Sequence, residues 1–224
     1  MPPTRLLAAL NIAPMLAMGA LALSAPSGAE AGSLPAPVPV AGTDGVQGTS
    51  DDDGLPKPGQ VTKLNLHDKA TLRCDDRDYT LALHGTVEVK AGSPGSEIPP
   101  KIPLKVTAAE LTGRSDDFGT VKATLDGPQP GSIVSDGKLK PFPATHTLPL
   151  SLKITLDKSP CATGSRGYEP LVLTTKNPAQ LVGKLTQFPP KGDVYRLQNP
   201  VDLVTEDDST AAVLQDLNVD MDGV

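Results

Sequence analysis

The sequence predicts an all-β fold, an antiparallel β-sandwich that is immunoglobulin-like in the loose sense, and three observations support this prediction. Beyond Val61, apolar and polar residues alternate in short runs, as they do in strands that bury one face. Proline and glycine separate these runs at short intervals. No run has the spacing of an amphipathic helix. Roughly eight or nine strands are expected, enough for a sandwich with one core.

A β-hairpin at residues 69–89 is the clearest of these patterns. The first arm alternates up to Cys74, and the second alternates from Tyr79 to Val89. The acidic stretch 75–78 between them is polar enough for a solvated turn. Successive side chains of a strand point to opposite faces, so Cys74 is predicted to face the core and His84 to face solvent.

The remaining strands are predicted at residues 102–108, 119–125, 148–156, 168–175, 181–188, 194–197 and 201–204. Pro103 lies in the first of them, and because proline cannot donate to a ladder, that strand is expected at a sheet edge. The run 148–156 alternates without exception and is expected to be one strand. Residues 209–224 combine a helix-capping residue, Ser209, with a later alternation, and we favour a final strand.

Three segments are expected along the chain. Residues 1–31 have the features of a secretory signal peptide, because Arg5 precedes an uncharged apolar run and small residues at 29 and 31 offer a cleavage site. An uncleaved membrane anchor is the alternative. Residues 32–60, rich in proline, glycine and alanine, are expected to be a flexible linker, and residues 61–224 a single β-sandwich domain. We expect a secreted or wall-associated protein without a transmembrane segment in its mature form.

The composition disfavours two classes of partner. The net charge is −6, and lysine and arginine are scattered among acids, so nucleic acid is not an expected partner. The chain has no tryptophan and only three tyrosines and three phenylalanines. Few side chains are therefore available to stack on sugar rings or single-stranded bases.

The two cysteines, Cys74 and Cys161, are predicted to form a structural disulfide. An even number of cysteines in an exported protein favours pairing, because the compartment is oxidising. In the entropic account, closing this loop destabilises the unfolded chain by roughly 4–5 kcal/mol. A redox or metal role is not favoured, since neither cysteine belongs to a C-x-x-C motif or adjoins a histidine cluster.

No residue is predicted to be catalytic, and no cofactor is expected. The sequence contains no serine-hydrolase elbow, phosphate-binding loop or H-E-x-x-H motif. His67, His84 and His146 are far apart in the sequence. They are interpreted as isolated surface or edge residues, with a metal or catalytic site as the alternative.

One weak candidate for a metal site lies near the end of the sequence. Asn218, Asp220 and Asp222, followed by Gly223, match the opening half of a calcium-binding loop. The glutamate that completes such a loop is missing. Alternating acids are also typical of the outward face of a strand, which is the interpretation we prefer.

In layout the chain resembles, without matching a named family, the small secreted β-domain proteins of actinomycetes. The shared features are a signal peptide, an arm rich in alanine and proline, and a β-domain with one cysteine pair. This resemblance implies bacterial export and transfers no functional residue.

We therefore expect a non-enzymatic β-sandwich, secreted or in the cell envelope, that acts by surface interaction with an envelope protein or polymer. The strand around Leu104 and the loop 90–100 are the expected binding surfaces. The alternatives are a hydrolase or lyase on a β-scaffold, and a carrier of small molecules or lipids.

Overall fold

The computed structural model of the protein describes residues 54–137, 140–159 and 170–224. This part contains twelve strands and no helix, which confirms the all-β prediction. The strands are β1 (Val61–Cys74), β2 (Arg77–Ala91), β3 (Lys101–Ser115), β4 (Gly119–Leu125), β5 (Gln129–Ser135), β6 (Ala144–Leu150), β7 (Leu152–Leu156), β8 (Leu171–Thr175), β9 (Ala179–Leu185), β10 (Lys191–Leu197), β11 (Val201–Val204) and β12 (Thr210–Gly223). The predicted signal peptide, residues 32–53 of the predicted linker, and Cys161 lie outside the described residues.

The strands form one continuous antiparallel sheet, so the predicted two-sheet sandwich is not confirmed. Neighbours follow the order β1-β2-β3-β4-β7-β8-β11-β12-β10-β9-β6-β5, and two further pairings, β1 with β12 and β3 with β5, close the sheet. Closure produces two rings of eight strands. The first ring is β1-β2-β3-β4-β7-β8-β11-β12, and the second ring is β1-β2-β3-β5-β6-β9-β10-β12.

Four long strands belong to both rings. β1, β2, β3 and β12 have 14 or 15 residues each. Residues 210–214 of β12 pair with β11 of the first ring, and residues 218–222 pair with β10 of the second. β3 changes ring in the same way, because residues 101–106 pair with β5 and residues 110–115 with β4.

Two β-bulges accompany the change of ring. Thr107 is an extra residue in β3 opposite the step from Glu88 to Val89. Gln215 is an extra residue in β12 opposite the step between Thr71 and Leu72. On passing each bulge, the buried residues change from even-numbered to odd-numbered positions. An extra residue also bends a strand and increases its twist, which lets these long strands curve into two rings.

The hairpin prediction is confirmed, with a tighter turn than expected. β1 and β2 pair from Cys74 and Arg77 onward along their whole length. Only Asp75 and Asp76 form the turn, with φ of 45° and 64°. Two central residues with positive φ match the type I′ turn, whose twist fits the strands of a hairpin.

Pro103 does not mark an edge strand. β3 lies inside the sheet, between β2 on one side and β4 and β5 on the other. The Pro103 carbonyl accepts a hydrogen bond from the Gly92 amide at 2.8 Å, just beyond the last register pair of β2 and β3. Because the N–H and C=O of a strand residue point the same way, the missing N–H faces the place where β2 ends.

The run 148–156 is two strands rather than one. β6 ends at Leu150 and β7 begins at Leu152. β6 pairs with β5 and β9 of the second ring, whereas β7 pairs with β4 and β8 of the first. Leu148, Leu150 and Leu152 are all buried, so the alternation of apolar residues continues unbroken across the change of ring.

One hydrophobic cluster of buried side chains runs through both rings. Tyr195 and Phe118 are its largest fully buried members. The ring of Phe118 meets that of Tyr79 edge to face, with 5.1 Å between centroids. β5, which no sequence pattern predicted, contributes the buried Ile133. The predicted final strand is confirmed as β12.

Candidate functional site

The candidate polar residues are gathered on the outer face, which we define as the outward-pointing residues of β12, β1, β2 and β3. Residues directly opposite each other in antiparallel strands share a face, so the pairing registers define rows across it. One row is Asn218, Lys69, Ala82 and Arg114, and the next is Asp220, His67, His84 and Thr112.

An open groove of about 510 Å³ lies on the outer face. It is lined by Lys69, Thr80, Ala82, Arg114, Ser115, Asp116 and Asp117. Ala82 stands between Lys69 and Arg114 in their row, so the groove has a small side chain at its floor and a cation on each side. At about 4.8 Å per strand, the backbones of those two cations lie roughly 10 Å apart.

The charges of the groove are mixed. Lys69 and Arg114 are exposed, as are Asp116 and Asp117 in the turn between β3 and β4. A ligand that carries both signs of charge can satisfy both pairs. The volume lies within the range of about 300–1,000 Å³ that is usual for ligand sites, and solvent reaches the whole lining.

A smaller depression of about 200 Å³ lies on the same face, lined by Lys63, Thr86, Glu88, Ala108 and Glu110. Thr107 donates from Oγ1 to the Glu88 carboxylate at 2.9 Å. This depression is therefore also polar and open to solvent.

His67 and His84 are neighbours, contrary to the interpretation of isolated histidines. They are directly opposite each other in β1 and β2, and both are exposed. His67 Nε2 lies 3.9 Å from Asp220 Oδ2, and His84 Nε2 lies 3.5 Å from Thr112 Oγ1. The two imidazoles thus make long contacts on opposite sides of their shared row.

His146 is completely buried rather than at a surface or an edge. Its Nδ1 lies 2.6 Å from the Tyr195 hydroxyl, and the two rings meet edge to face at 82°. Gly183 separates the two residues in the sheet, pairing with His146 on one side and Tyr195 on the other. A side chain at Gly183 would bring its Cβ within 2.8 Å of the Tyr195 ring, so the glycine makes room for the pair.

Burial fixes the protonation of this pair. It lowers the pKa of His146 to about 3. Burial also raises the pKa of Tyr195, with a smaller contribution from Asp193. Both groups are therefore neutral at neutral pH. His146 Nε2 has no hydrogen-bond partner among the described residues, which makes the pair costly to bury.

Asn218, Asp220 and Asp222 do not converge on a common point. They lie at alternate positions of β12, where side chains of one face are spaced by two residues. Asn218 donates to Asp216, and the Asp222 carboxylate accepts from the Gly192 amide at 2.7 Å. As the side chains stand, the described residues include no group of three metal-ligating side chains arranged around one ion.

A small apolar cavity of about 20 Å³ lies inside the first ring. Its lining consists of Ala70, Leu72, Leu81, Leu83, Leu111, Val121, Ala123, Leu152, Ile154, Leu214 and Leu217. A cavity of this size has room for about one water molecule, and its walls offer no hydrogen bond. Cys74, at the end of β1, does not line the cavity and is 3% exposed.

No protein-family model and no curated protein matches the chain. Among solved structures, the chain is similar to DynF from the dynemicin biosynthesis pathway of Micromonospora chersina, with a TM-score of 0.61. The sequences are 19% identical, and the similarity covers 80% of this chain and 89% of DynF. At this identity the similarity concerns the fold alone.

In the part of the chain that the structure describes, no helix has the length and apolar character needed to cross a membrane.

Proposed function

We propose that the protein is exported and acts without catalysis, by binding a charged protein segment or polymer of the cell envelope in the groove on its outer face. The main support is the difference in volume between the groove outside the sheet and the cavity inside it. The groove measures about 510 Å³, whereas the cavity inside the first ring measures about 20 Å³. A site for a substantial ligand needs several hundred cubic ångströms, so the outside of the sheet offers the better surface.

The groove is a different surface from the strand around Leu104 and the loop 90–100 that the sequence suggested. The strand around Leu104 is paired on both sides, so it has no open edge to which a partner strand can add. The groove instead presents side chains, and recognition through it depends on Lys69, Arg114, Asp116 and Asp117. The features of residues 1–31 support export, and pairing of Cys74 with Cys161 is part of the same proposal.

Catalysis is the less favoured alternative. A hydrolase or lyase needs a pocket that brings an acid or base to a bound substrate, and a histidine beside a carboxylate is the commonest arrangement. The groove contains carboxylates but no histidine, the exposed pair of His67 and Asp220 lies outside it, and His146 is enclosed in the core.

A carrier of hydrophobic ligands is the second candidate, because the lining of the cavity in the first ring is entirely apolar. A ligand with more than one or two heavy atoms would have to push the apolar side chains of six strands apart. Displacement of an environment-sensitive fluorescent probe by fatty acids or other apolar molecules tests this candidate.

The groove is tested by affinity capture with immobilised oxidised protein and solubilised envelope from the source organism. The variant Lys69→Glu with Arg114→Glu reverses both cations of the groove. The matched control, Lys153→Glu with Lys176→Glu, makes the same change of charge at exposed positions outside the groove. Retention of a saturable partner by the wild type and the control, with loss in the groove variant, supports the proposal, and equal retention by all three proteins contradicts it.

A further inference from the structure

We infer that His67, His84 and Asp220 form a binding site on the outer face for one divalent transition-metal ion of the Zn²⁺ or Cu²⁺ type. This inference does not depend on the proposed function, because none of the three residues lines the groove. It rests on the pairing register, on two distances and on the exposure of the side chains.

The register places the three side chains side by side. Asp220 is opposite His67 in the pairing of β12 with β1, and His67 is opposite His84 in the pairing of β1 with β2. Side chains opposite each other in antiparallel strands have Cβ atoms about 4.5–5.5 Å apart. The three side chains therefore form a consecutive row on one face, with His67 in the middle.

The distance between His67 and Asp220 is close to that of two ligands of one ion. Zinc lies about 2.0–2.2 Å from a histidine nitrogen or a carboxylate oxygen, so two ligands at a tetrahedral angle are about 3.4 Å apart. His67 Nε2 and Asp220 Oδ2 are 3.9 Å apart. A shift of about half an ångström brings these two atoms into coordination geometry.

The third ligand requires a side-chain rotation. His84 Nε2 now lies 3.5 Å from Thr112 Oγ1, at the limit of a hydrogen bond, on the side away from His67. Rotation about the side-chain torsions of an exposed histidine is fast and gives up only this weak contact. Before this rotation, the described residues include no ready-made group of three metal-ligating side chains.

The donor set favours a cation with affinity for imidazole. Asp216 and Asp222 lie on the same face of β12 as Asp220 and add negative charge, while Lys69 and Arg196, which both lie opposite Asn218 in the adjoining row, add positive charge. Two imidazoles and one carboxylate form a donor set suited to zinc or copper rather than to calcium or magnesium, which prefer oxygen ligands. A water molecule can complete four-coordination because the site is open to solvent.

The test uses the protein without a histidine tag. Titration calorimetry with ZnCl₂ at pH 7.5 is expected to show one bound equivalent, and His67→Asn or His84→Asn is expected to weaken binding at least tenfold. Asp220→Asn is expected to weaken it about threefold or more. Thr112→Ala is the matched control, since it removes the present partner of His84 and no ligand, and its affinity should equal or exceed that of the wild type.

A second measurement does not depend on the variants. Electron paramagnetic resonance of the wild-type protein with one equivalent of CuCl₂ is expected to show hyperfine coupling to two imidazole nitrogens. Absence of zinc binding at millimolar concentration overturns the inference. Unchanged affinity in both histidine variants overturns it as well, as does a copper spectrum with one nitrogen or none.

Discussion

At the residue scale, the two most informative side chains are those of His146 and Tyr195, which meet across Gly183 inside the second ring. The hydrogen bond between them satisfies one polar atom of each residue, while His146 Nε2 has no partner among the described residues. The sequence contained a signal for this burial. The alternation of Leu148 and Leu150, extended backwards, places His146 on the same parity. Histidine is less often fully buried than leucine, so this parity alone did not predict a core position for His146. Its partner Tyr195 is 49 residues away and could not be identified from the local sequence.

The burial of His146 predicts sensitivity to acid. Its pKa is lowered from 6.5 to about 3 in the folded protein, so the unfolded chain takes up a proton first as the pH falls. The free energy of unfolding contributed by this residue is complete above pH 6.5 and declines by about 1.4 kcal/mol per pH unit below it. Urea unfolding followed by circular dichroism between pH 7.5 and 4.5 measures the slope.

The matched variant for that measurement is His146→Leu combined with Tyr195→Phe, which removes both polar groups together. Carboxylates with lowered pKa, such as Asp136 beside Lys184, contribute acid sensitivity to both proteins, so the difference between the two slopes isolates His146. Equal slopes would contradict the assignment.

Gly183 provides a second prediction at this scale. Gly183→Ala places a Cβ about 2.8 Å from three atoms of the Tyr195 ring. We expect a loss of about 1–3 kcal/mol in the free energy of unfolding, because the packed ring has to shift. Gly95→Ala is the control, since its Cβ meets no atom closer than 3.9 Å. If both variants unfold at the same urea concentration, the close contact does not exist in solution.

At the scale of elements, the hairpin of β1 and β2 shows how local sequence sets a long-range register. A two-residue turn at Asp75 and Asp76 fixes every later pair, and seven steps beyond Cys74 and Arg77 the partners are His67 and His84. The predicted four-residue turn pairs Cys74 with Tyr79, which places His67 opposite Thr86 instead of His84. Asp220 was beyond local prediction, because its position opposite His67 depends on the bulge at Gln215 and on closure of the sheet.

The turn predicts a stabilising change. Both of its residues have positive φ, which costs an L-amino acid about 1 kcal/mol and costs glycine almost nothing. Replacing Asp75-Asp76 by Asn-Gly is expected to raise the free energy of unfolding by about 0.5–1 kcal/mol. Asp116→Asn with Asp117→Asn controls for the loss of two negative charges at another turn. Thermal and urea unfolding that show no gain would argue against a type I′ turn.

At the scale of the whole molecule, two closed rings share four strands and one hydrophobic cluster. Neither ring can lose β1, β2, β3 or β12 without opening the other. Local alternation predicted most strands and their buried faces, because each strand buries one face in any closed or packed sheet. It could not choose between a sandwich and two rings, since closure depends on the pairing of β1 with β12 and of β3 with β5, which are not consecutive in the sequence.

Sharing of strands predicts a single cooperative unfolding transition. β7 belongs to the first ring and β9 to the second. Native-state hydrogen exchange of the wild type is expected to give similar opening free energies for the most protected amides of both strands. Gly183→Ala in β9 should lower both by the same amount. Loss of protection in β9 with unchanged protection in β7 would show that the rings unfold separately.

The central functional claim is that ligands bind outside the sheet rather than within a ring. Capture from envelope extract by three proteins tests it most directly: the wild type, the groove variant Lys69→Glu with Arg114→Glu, and Ala123→Val, which fills the small cavity of the first ring. We expect the groove variant to lose its partner, and we expect Ala123→Val to retain it with unchanged affinity. Retention by the groove variant together with loss in Ala123→Val would contradict the account and place the ligand inside the first ring.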